Sequence, residues 1–218
     1  MPIKIHGMDI SGNVFPAMAL MSEEGIESEL VLCNIMEGAN KTPEFLKINP
    51  LHCIPTMDDD GFTLWESKAI LRYICNKHKL EQWYPADYKK RALCDLALDF
   101  LGNSFVKVIG LKVLSPAAGF AAPVSPEDMT KAEEDFSTDL MPAFSHILAR
   151  EEGPLIGGVK PNIADLAFMG YIHPVMLKCP DSFVAKNAIL SGYYEACKAA
   201  LPKMDEWAKG ANGFWGAK

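Results

Sequence analysis

Two polar residues, Glu66 and Ser67, stand at the start of a helical pattern in which Ile70, Leu71 and Ile74 share one face. The first turn of a helix leaves backbone amides without partners and carries a partial positive charge. These two residues therefore indicate a place where a carboxylate can bind. Taken alone, Ser67 is also explained as the residue that caps the helix.

Common catalytic and cofactor motifs are absent from the sequence. It contains no Walker loop, no G-x-G-x-x-G, no H-E-x-x-H and no G-x-S-x-G. The six cysteines include no C-x-x-C pair, so neither a zinc site nor a redox dithiol is indicated. We expect reduced thiols and no metal.

The first 80 residues alternate between strand and helix patterns. Short apolar runs at 3–7 and 30–33 predict strands on either side of a helix over 14–24, and the polar stretch 37–42 predicts a loop. Two further strand-like runs flank the Asp60-Gly61 turn, a strong hairpin signal, before the helix that Ser67 opens. The predicted order is βαβ, loop, ββα.

The pattern changes after a candidate linker at 81–87, which contains Pro85. From residue 88 onward the apolar residues recur at helical spacing, as in Leu93, Leu96 and Leu101, and strand-like alternation does not return. We therefore expect two domains, 1–80 with a small sheet and 88–218 built only of helices.

Composition excludes several classes of function. The chain has 218 residues, 49% of them hydrophobic and 22% charged, which is typical of a folded globular protein. The net charge is −7 and no basic stripe is present, which disfavours nucleic acid as a partner. The sequence carries neither an apolar run long enough to span a membrane nor a basic leader before an apolar segment. We expect a cytoplasmic protein without membrane contact.

One block of the sequence is distinctive enough to suggest a family. The Ile54-Pro55 dipeptide, the hairpin and the Glu66-Ser67 pair occur together, and Pro161-Asn162-Ile163-Ala164-Asp165 opens a later helix. This combination resembles cytosolic glutathione S-transferases over essentially the whole chain, most strongly over 40–75. The resemblance implies a thioredoxin-like α/β domain followed by an all-helical domain that forms the acceptor pocket.

The resemblance also implies how glutathione is held. A cis bond between Ile54 and Pro55 would turn the Ile54 backbone outward to pair with the cysteinyl backbone of the ligand. Glu66 and Ser67 would hold the γ-glutamyl end, with Lys68 where relatives often carry Arg.

The glycyl carboxylate of glutathione is expected at a second group of residues. His52 and Asn40 correspond to positions that face this carboxylate in delta- and theta-like members, and Lys41 adds positive charge nearby. His52 taken alone would more often be a surface histidine.

Members of this family activate the thiol with a Tyr, Ser or Cys just after the first strand. This chain has no Tyr before Tyr73 and no Cys before Cys33, so Ser11 is the candidate and a serine-type enzyme (delta-, theta- or phi-like) is predicted. A structural role for Ser11 in a turn or helix cap remains open. Met8, Ile10 and Phe15 lie beside it and are expected to form part of the acceptor pocket.

The function implied is conjugation of glutathione, as co-substrate, to small hydrophobic electrophiles by a homodimer active in detoxification. Two alternatives remain open. One is a non-catalytic module that binds glutathione, and the other is a glutathione-dependent peroxidase or isomerase. Thiol–disulfide exchange is disfavoured, because that reaction needs a cysteine where Ser11 stands.

Overall fold

The first strand is built on alternating burial: Ile3 and Ile5 lie in the core while Lys4 is exposed. In the computed structural model, which describes residues 1–217, four strands form one mixed sheet in the order β2-β1-β3-β4. The strands are β1 (Ile3–Gly7), β2 (Ser28–Leu32), β3 (Thr56–Asp59) and β4 (Phe62–Trp65). The β1 strand pairs in parallel with β2 and antiparallel with β3, which pairs antiparallel with β4. The predicted strands are confirmed.

The hairpin between β3 and β4 turns at Asp60 and Gly61. Both residues have positive φ, 54° and 88°, as a two-residue turn that matches strand twist requires. The Gly61 amide donates to the Asp58 carboxylate at 2.8 Å. The Asp-Gly signal in the sequence therefore predicted the turn correctly.

The region predicted as loop, 37–42, is followed by a helix that the sequence analysis missed. Short 3₁₀ turns at Ile35–Glu37 and Ala39–Lys41 lead into α2 (Pro43–Ile48). The Thr42 hydroxyl accepts a hydrogen bond from the Phe45 amide at 3.3 Å and caps this helix. Helical periodicity does not show over so short a segment, although a Thr cap followed by Pro was a usable signal.

The sheet is covered by α1 (Phe15–Glu24) and α3 (Ser67–His78), which pack on each other. Beyond α3, helices alone follow in the described chain, as predicted. They are α4 (Tyr88–Phe100), α5 (Val106–Val108), α6 (Ser115–Ala117), α7 (Pro126–Asp135), α8 (Met141–Leu148), α9 (Ile163–Lys178), α10 (Ala188–Ala200), α11 (Met204–Trp207) and α12 (Lys209–Trp215). Segments of π-helix occur at Leu101–Phe105, Ile109–Leu114 and Phe136–Leu140. The domain limits 1–80 and 88–218 stay a prediction, and Lys218 lies outside the described residues.

The central helix α9 joins the two parts of the fold. It packs against α1, α3 and α4, and most of its side chains are buried. Asn162 caps its start, accepting from the Ala164 amide at 2.8 Å, while the Asp165 carboxylate accepts from the Asn162 amide at 2.8 Å. This reciprocal cap is the device expected from the sequence motif.

Within residues 1–217, no helix is both long and apolar enough to cross a membrane. The cysteines of this part of the chain are all free.

Candidate active site

A cavity of about 450 Å³ lies where the sheet domain meets the helices, and we call it the polar cavity. The sheet domain contributes Ile54, Pro55 and the start of α3. The helices contribute Leu101, Gly102 and Asn103, which belong to the first π-helical segment. Segments of π-helix are frequent at functional sites.

The Ile54–Pro55 bond in this cavity is cis, as the resemblance implied. Next to it, Glu66 occupies the N-cap position of α3 with φ of 71°, a left-handed conformation that is unusual for a residue other than glycine. Its side chain makes no capping hydrogen bond. Backbone strain of this kind is concentrated at binding sites.

Ser67 is the first residue of α3 and not its cap, so the capping interpretation was wrong. Its hydroxyl makes no hydrogen bond to another described residue, and its amide belongs to the first turn, which has no acceptor within the helix. Both groups are available in the polar cavity, and the sequence places them at a helix start suited to a carboxylate.

Lys68 extends across the cavity from α3 to the helical part of the chain. A methyl group on Gly102 would overlap with its Nζ atom, so the ammonium group lies against that backbone. Within the part of the chain described, no carboxylate oxygen lies within 4.0 Å of it. Burial lowers the pKa of Lys68, and the charges of Asp99 and Glu66 oppose that shift. The cavity thus holds a partly desolvated cation that has no carboxylate partner among residues 1–217.

A second cavity, of about 460 Å³, adjoins the first, and we call it the apolar cavity. Side chains of several segments line it: Met8, Ile10, Ile35, Met36, Val106, Leu111, Leu114, Phe120 and Trp215. No Asp, Glu, Lys, Arg or His side chain belongs to its described lining. It is suited to an uncharged hydrophobic molecule.

Ser11 lies in the apolar cavity, half-buried. Its amide donates to the Met8 carbonyl at 3.0 Å, and its carbonyl accepts from the amides of Val14 and Phe15 at 3.0 Å. Its hydroxyl has no hydrogen-bond partner among residues 1–217, and α1 begins without a side-chain cap. The backbone of Ser11 is therefore held by the turn while its hydroxyl remains available.

Two of the three neighbours of Ser11 that the sequence analysis named line the apolar cavity. Met8 and Ile10 line the apolar cavity, but Phe15 does not. Its ring is 5% exposed and packs edge-on against Trp207, with the ring centroids 4.6 Å apart. Phe15 starts α1 on the face that packs against α11, so the expectation that it forms part of the pocket was wrong.

Comparison with known proteins identifies this arrangement. Residues 1–76 match the family model described as glutathione S-transferase, N-terminal domain. A solved delta-class glutathione transferase of Nilaparvata lugens is 29% identical, with a TM-score of 0.82 over 98% of this chain and 97% of that chain. Residues 1–76 thus resemble the N-terminal domain of glutathione S-transferases, and the whole chain has the fold of a delta-class glutathione transferase.

Curated glutathione transferases are similar over shorter segments. Glutathione S-transferase D7 of Anopheles gambiae is 46% identical over 87 residues, 39% of this chain and 40% of the relative. The probable glutathione S-transferase GSTF2 of Oryza sativa subsp. japonica is 34% identical over 108 residues, half of each chain. The chain thus spans half the length or less of the curated relatives it matches.

Three of the predicted glutathione contacts lie outside both cavities. Asn40 is buried and its Nδ2 donates to the carbonyl of His52, while its Oδ1 has no hydrogen-bond partner among the residues that the structure describes. His52 is exposed with φ of 44°, and Lys41 is exposed in the preceding 3₁₀ turn. The amide donor of Asn40 therefore holds the His52 backbone. Contacts of these residues with glutathione stay a prediction.

The structure also adds residues that the sequence analysis missed. Gly12, Asn13, Val106 and Tyr171 line both cavities, as does Ile54, which the sequence analysis had named. We call these five residues the common wall. The Tyr171 hydroxyl donates to Asn13 Oδ1 at 2.9 Å, although the two residues are 158 positions apart. No local pattern in the sequence signals a contact over such a distance.

The C-terminal helix closes one side of the apolar cavity. The Trp215 indole donates to the Ile10 carbonyl at 3.1 Å. Phe214 stacks on Phe120, with the ring centroids 5.9 Å apart. Among the described residues, no group of His, Cys, Asp and Glu side chains that could hold a metal ion was found.

Proposed function

We propose that this chain is a serine-type glutathione transferase that conjugates the thiolate of glutathione to hydrophobic electrophiles. The observation that carries the proposal is the available Ser11 hydroxyl in an uncharged apolar cavity, directly beside the polar cavity with its cis-proline and its helix start. The names of the curated relatives support the same activity.

Glutathione occupies the polar cavity in this proposal. The Ile54 backbone pairs with the cysteinyl backbone of the ligand, and the Ser67 amide binds the γ-glutamyl carboxylate. Glu66 holds the α-ammonium group, and Lys68 adds a positive charge opposite the carboxylate. The glycyl end extends beyond the polar cavity, where His52 and Lys41 serve its carboxylate. The cysteinyl sulfur then points toward the common wall and the apolar cavity.

The role of Ser11 is to lower the pKa of the bound thiol. A free thiol has a pKa of about 8.5, so only a few per cent is ionised at neutral pH. Lowering the pKa by about two units requires about 2.7 kcal/mol of differential stabilisation. A hydrogen bond to a charged acceptor contributes about 1.5–3 kcal/mol, so one hydroxyl supplies most of this.

Conjugation then needs no further catalytic group. The thiol proton leaves to solvent when the thiolate forms, and the sulfur lone pair attacks the electrophilic carbon, forming a carbon–sulfur bond. In an addition the displaced electron pair moves onto the acceptor, which takes a proton. In a substitution the leaving group departs with the pair. Exclusion of water by the apolar cavity favours the reaction of uncharged acceptors.

Ultraviolet titration of the bound thiolate tests the proposal directly. The pKa of glutathione in the complex should be about two units below that of free glutathione. Ser11→Ala should reverse most of this shift and lower kcat on a chlorinated aromatic electrophile far more than it raises KM. The matched control is Ser28→Ala on β2, away from both cavities, which should change neither. An unshifted thiol pKa in the unmodified protein would overturn the proposal.

A panel of substrates separates the remaining activities. Chlorinated aromatic, epoxide, peroxide and dehydroascorbate substrates distinguish transfer from peroxidase, isomerase and exchange reactions. Retention on immobilised glutathione without any turnover would indicate a binding module instead. We also propose a homodimer located in the cytoplasm, and sedimentation of the purified chain tests the dimer.

A further inference from the structure

The sulfur of glutathione has to lie at the junction of the two cavities, because the peptide occupies one and the acceptor the other. The residues at that junction are those of the common wall. Asn13 and Tyr171 are the polar side chains among the described residues that line both cavities, whereas Ser11 lines only the apolar one. A second donor to the sulfur is therefore available at the junction itself.

The hydrogen bond between Tyr171 and Asn13 determines which polar atom of the Asn13 side chain is available. Because the Tyr171 hydroxyl donates to Asn13 Oδ1 at 2.9 Å, the amide oxygen is engaged and the amide nitrogen points elsewhere. Asn13 is exposed, and its Nδ2 makes no hydrogen bond to another residue of the described chain. Burial raises the pKa of Tyr171, with Asn13 opposing the shift, so the hydroxyl keeps its proton at neutral pH.

Close packing of neighbouring glycines fixes the positions of Asn13 and Tyr171. Gly12 precedes Asn13 in the sequence, and Gly170 precedes Tyr171. The two glycines lie so close together that a methyl group on either would overlap with the carbonyl of the other. On its other side, the Tyr171 ring lies against Gly110, where an added methyl group would be 3.2 Å from Cε1. The distance between Asn13 and Tyr171 is thus set by backbone contacts across the two parts of the fold.

We propose that Asn13 donates a second hydrogen bond, from its amide nitrogen, to the sulfur of glutathione, and that Tyr171 is the positioning residue that orients this amide. The inference rests on the proposed function and adds a donor to it. An amide donor does not need to give up its proton, so it stabilises the thiolate without taking part in proton transfer. Ser11 and Asn13 then hold the sulfur from two sides.

The pKa of bound glutathione, measured by ultraviolet titration, tests this inference. Asn13→Ala should raise it by about one unit, the size expected for the loss of one hydrogen bond to a charged acceptor. Asn13→Asp keeps the shape but places a negative charge near the sulfur, and should raise it further. Tyr171→Phe keeps the ring and removes the hydroxyl, and should give a smaller rise because the amide is no longer oriented.

A combined variant separates positioning from a general structural effect. If Tyr171 acts through Asn13, Asn13→Ala with Tyr171→Phe should give the same thiol pKa as Asn13→Ala alone. The controls are Asn76→Ala and Tyr88→Phe, both exposed and away from the cavities, which should leave the thiol pKa unchanged.

The outcomes distinguish this inference from the proposed function. If the unmodified protein lowers the thiol pKa and Asn13→Ala retains that lowering, the inference fails and the function stands. If the unmodified protein shows no lowering, the function itself fails. Should Asn13→Ala not fold, Tyr171→Phe decides, because it removes one oxygen atom only. Additive effects of the two substitutions would overturn the role of Tyr171 as a positioning residue.

Discussion

Gly12 and Gly170 pack backbone against backbone, so that a methyl group built on either residue would overlap with the carbonyl oxygen of the other. Gly12 directly follows Ser11, and Gly170 lies inside α9. The contact therefore connects the turn that carries the proposed catalytic hydroxyl to the central helix of the helical part. The absence of two side chains sets the relative position of Ser11 and the common wall.

Gly170→Ala tests this contact. In a helix interior the change from Gly to Ala should stabilise by about 1 kcal/mol, so a net loss must come from the overlap. We expect a loss of about 1–3 kcal/mol in the free energy of unfolding, measured with urea, and a raised pKa of bound glutathione. Gly192→Ala in α10, where an added methyl group has no neighbour within 4 Å, should stabilise by about 0.5–1 kcal/mol. Equal effects of the two substitutions would show that the contact is not a constraint.

The sequence predicted those elements whose causes are local. The short apolar run at 3–7 predicted β1, the Asp60-Gly61 turn predicted the hairpin, and the Asn162 to Asp165 motif predicted the start of α9. It did not predict the π-helical segments, because their altered period looks like an imperfect helix. Residue types alone do not reveal which face of a helix meets which cavity.

The site residues show the same difference between local and long-range causes. Pro55, Glu66 and Ser67 come from one block of the chain, and the structure brings them together in the polar cavity. The contact between Asn13 and Tyr171 depends on how α9 docks on the turn after β1, which only tertiary packing determines. Phe15 was misplaced for the same reason, since its apolar character is compatible with both a pocket and a core.

The ammonium group of Lys68, which forms no ion pair within the described part of the chain, predicts an effect on substrate binding. Lys68→Gln removes the charge and keeps much of the side chain. Because the group is partly exposed, we expect a loss of about 1 kcal/mol, or about a fivefold rise in the KM for glutathione, with kcat little changed. Added salt should weaken binding by the unmodified protein more than by the variant. Lys107→Gln, at an exposed position on α5, is the control and should leave KM unchanged. A fall in kcat at constant KM would contradict this role.

The Asp165 carboxylate predicts a large effect on stability. It is buried and accepts hydrogen bonds from the amides of Ile156, Gly157 and Asn162 and from the Tyr193 hydroxyl, at 2.8–3.0 Å. Asp165→Asn replaces one acceptor oxygen by a donor and leaves buried donors unsatisfied. We expect a loss of about 3 kcal/mol in the free energy of unfolding, measured with urea.

An exposed aspartate provides the comparison for Asp165. Asp139→Asn changes the same functional group on the protein surface and should alter the free energy of unfolding by less than about 0.5 kcal/mol. A similar small change for Asp165→Asn would show that the loop at 156–157 does not depend on this carboxylate.

His173 predicts how the stability of the fold depends on pH. The ring is buried, its Nε2 lies 2.7 Å from Asn212 Oδ1 and its Nδ1 lies 3.0 Å from the Tyr194 hydroxyl. With Nε2 donating to the amide oxygen and Nδ1 accepting from the hydroxyl, the neutral ring satisfies all three groups. Burial lowers the pKa of His173, the nearby Lys198 charge acts in the same direction, and the hydrogen bond to Asn212 opposes them.

Because the pKa of His173 is lowered in the folded chain, the free energy of unfolding falls as the solution becomes acidic. Because the unfolded chain takes up the proton near the ordinary pKa of 6.5 and the folded chain does so only at lower pH, the contribution of His173 to stability is complete above pH 6.5. It declines as the pH falls below that value. His173→Gln removes the titrating group, so its free energy of unfolding should fall less than that of the unmodified protein between about pH 7 and pH 5. His78→Gln, at the exposed end of α3, should keep the original slope. If the free energies of unfolding of His173→Gln and of the unmodified protein change in parallel with pH, the ring takes up its proton equally in the folded and unfolded chains. Burial of the ring would then not make the stability of the fold depend on pH.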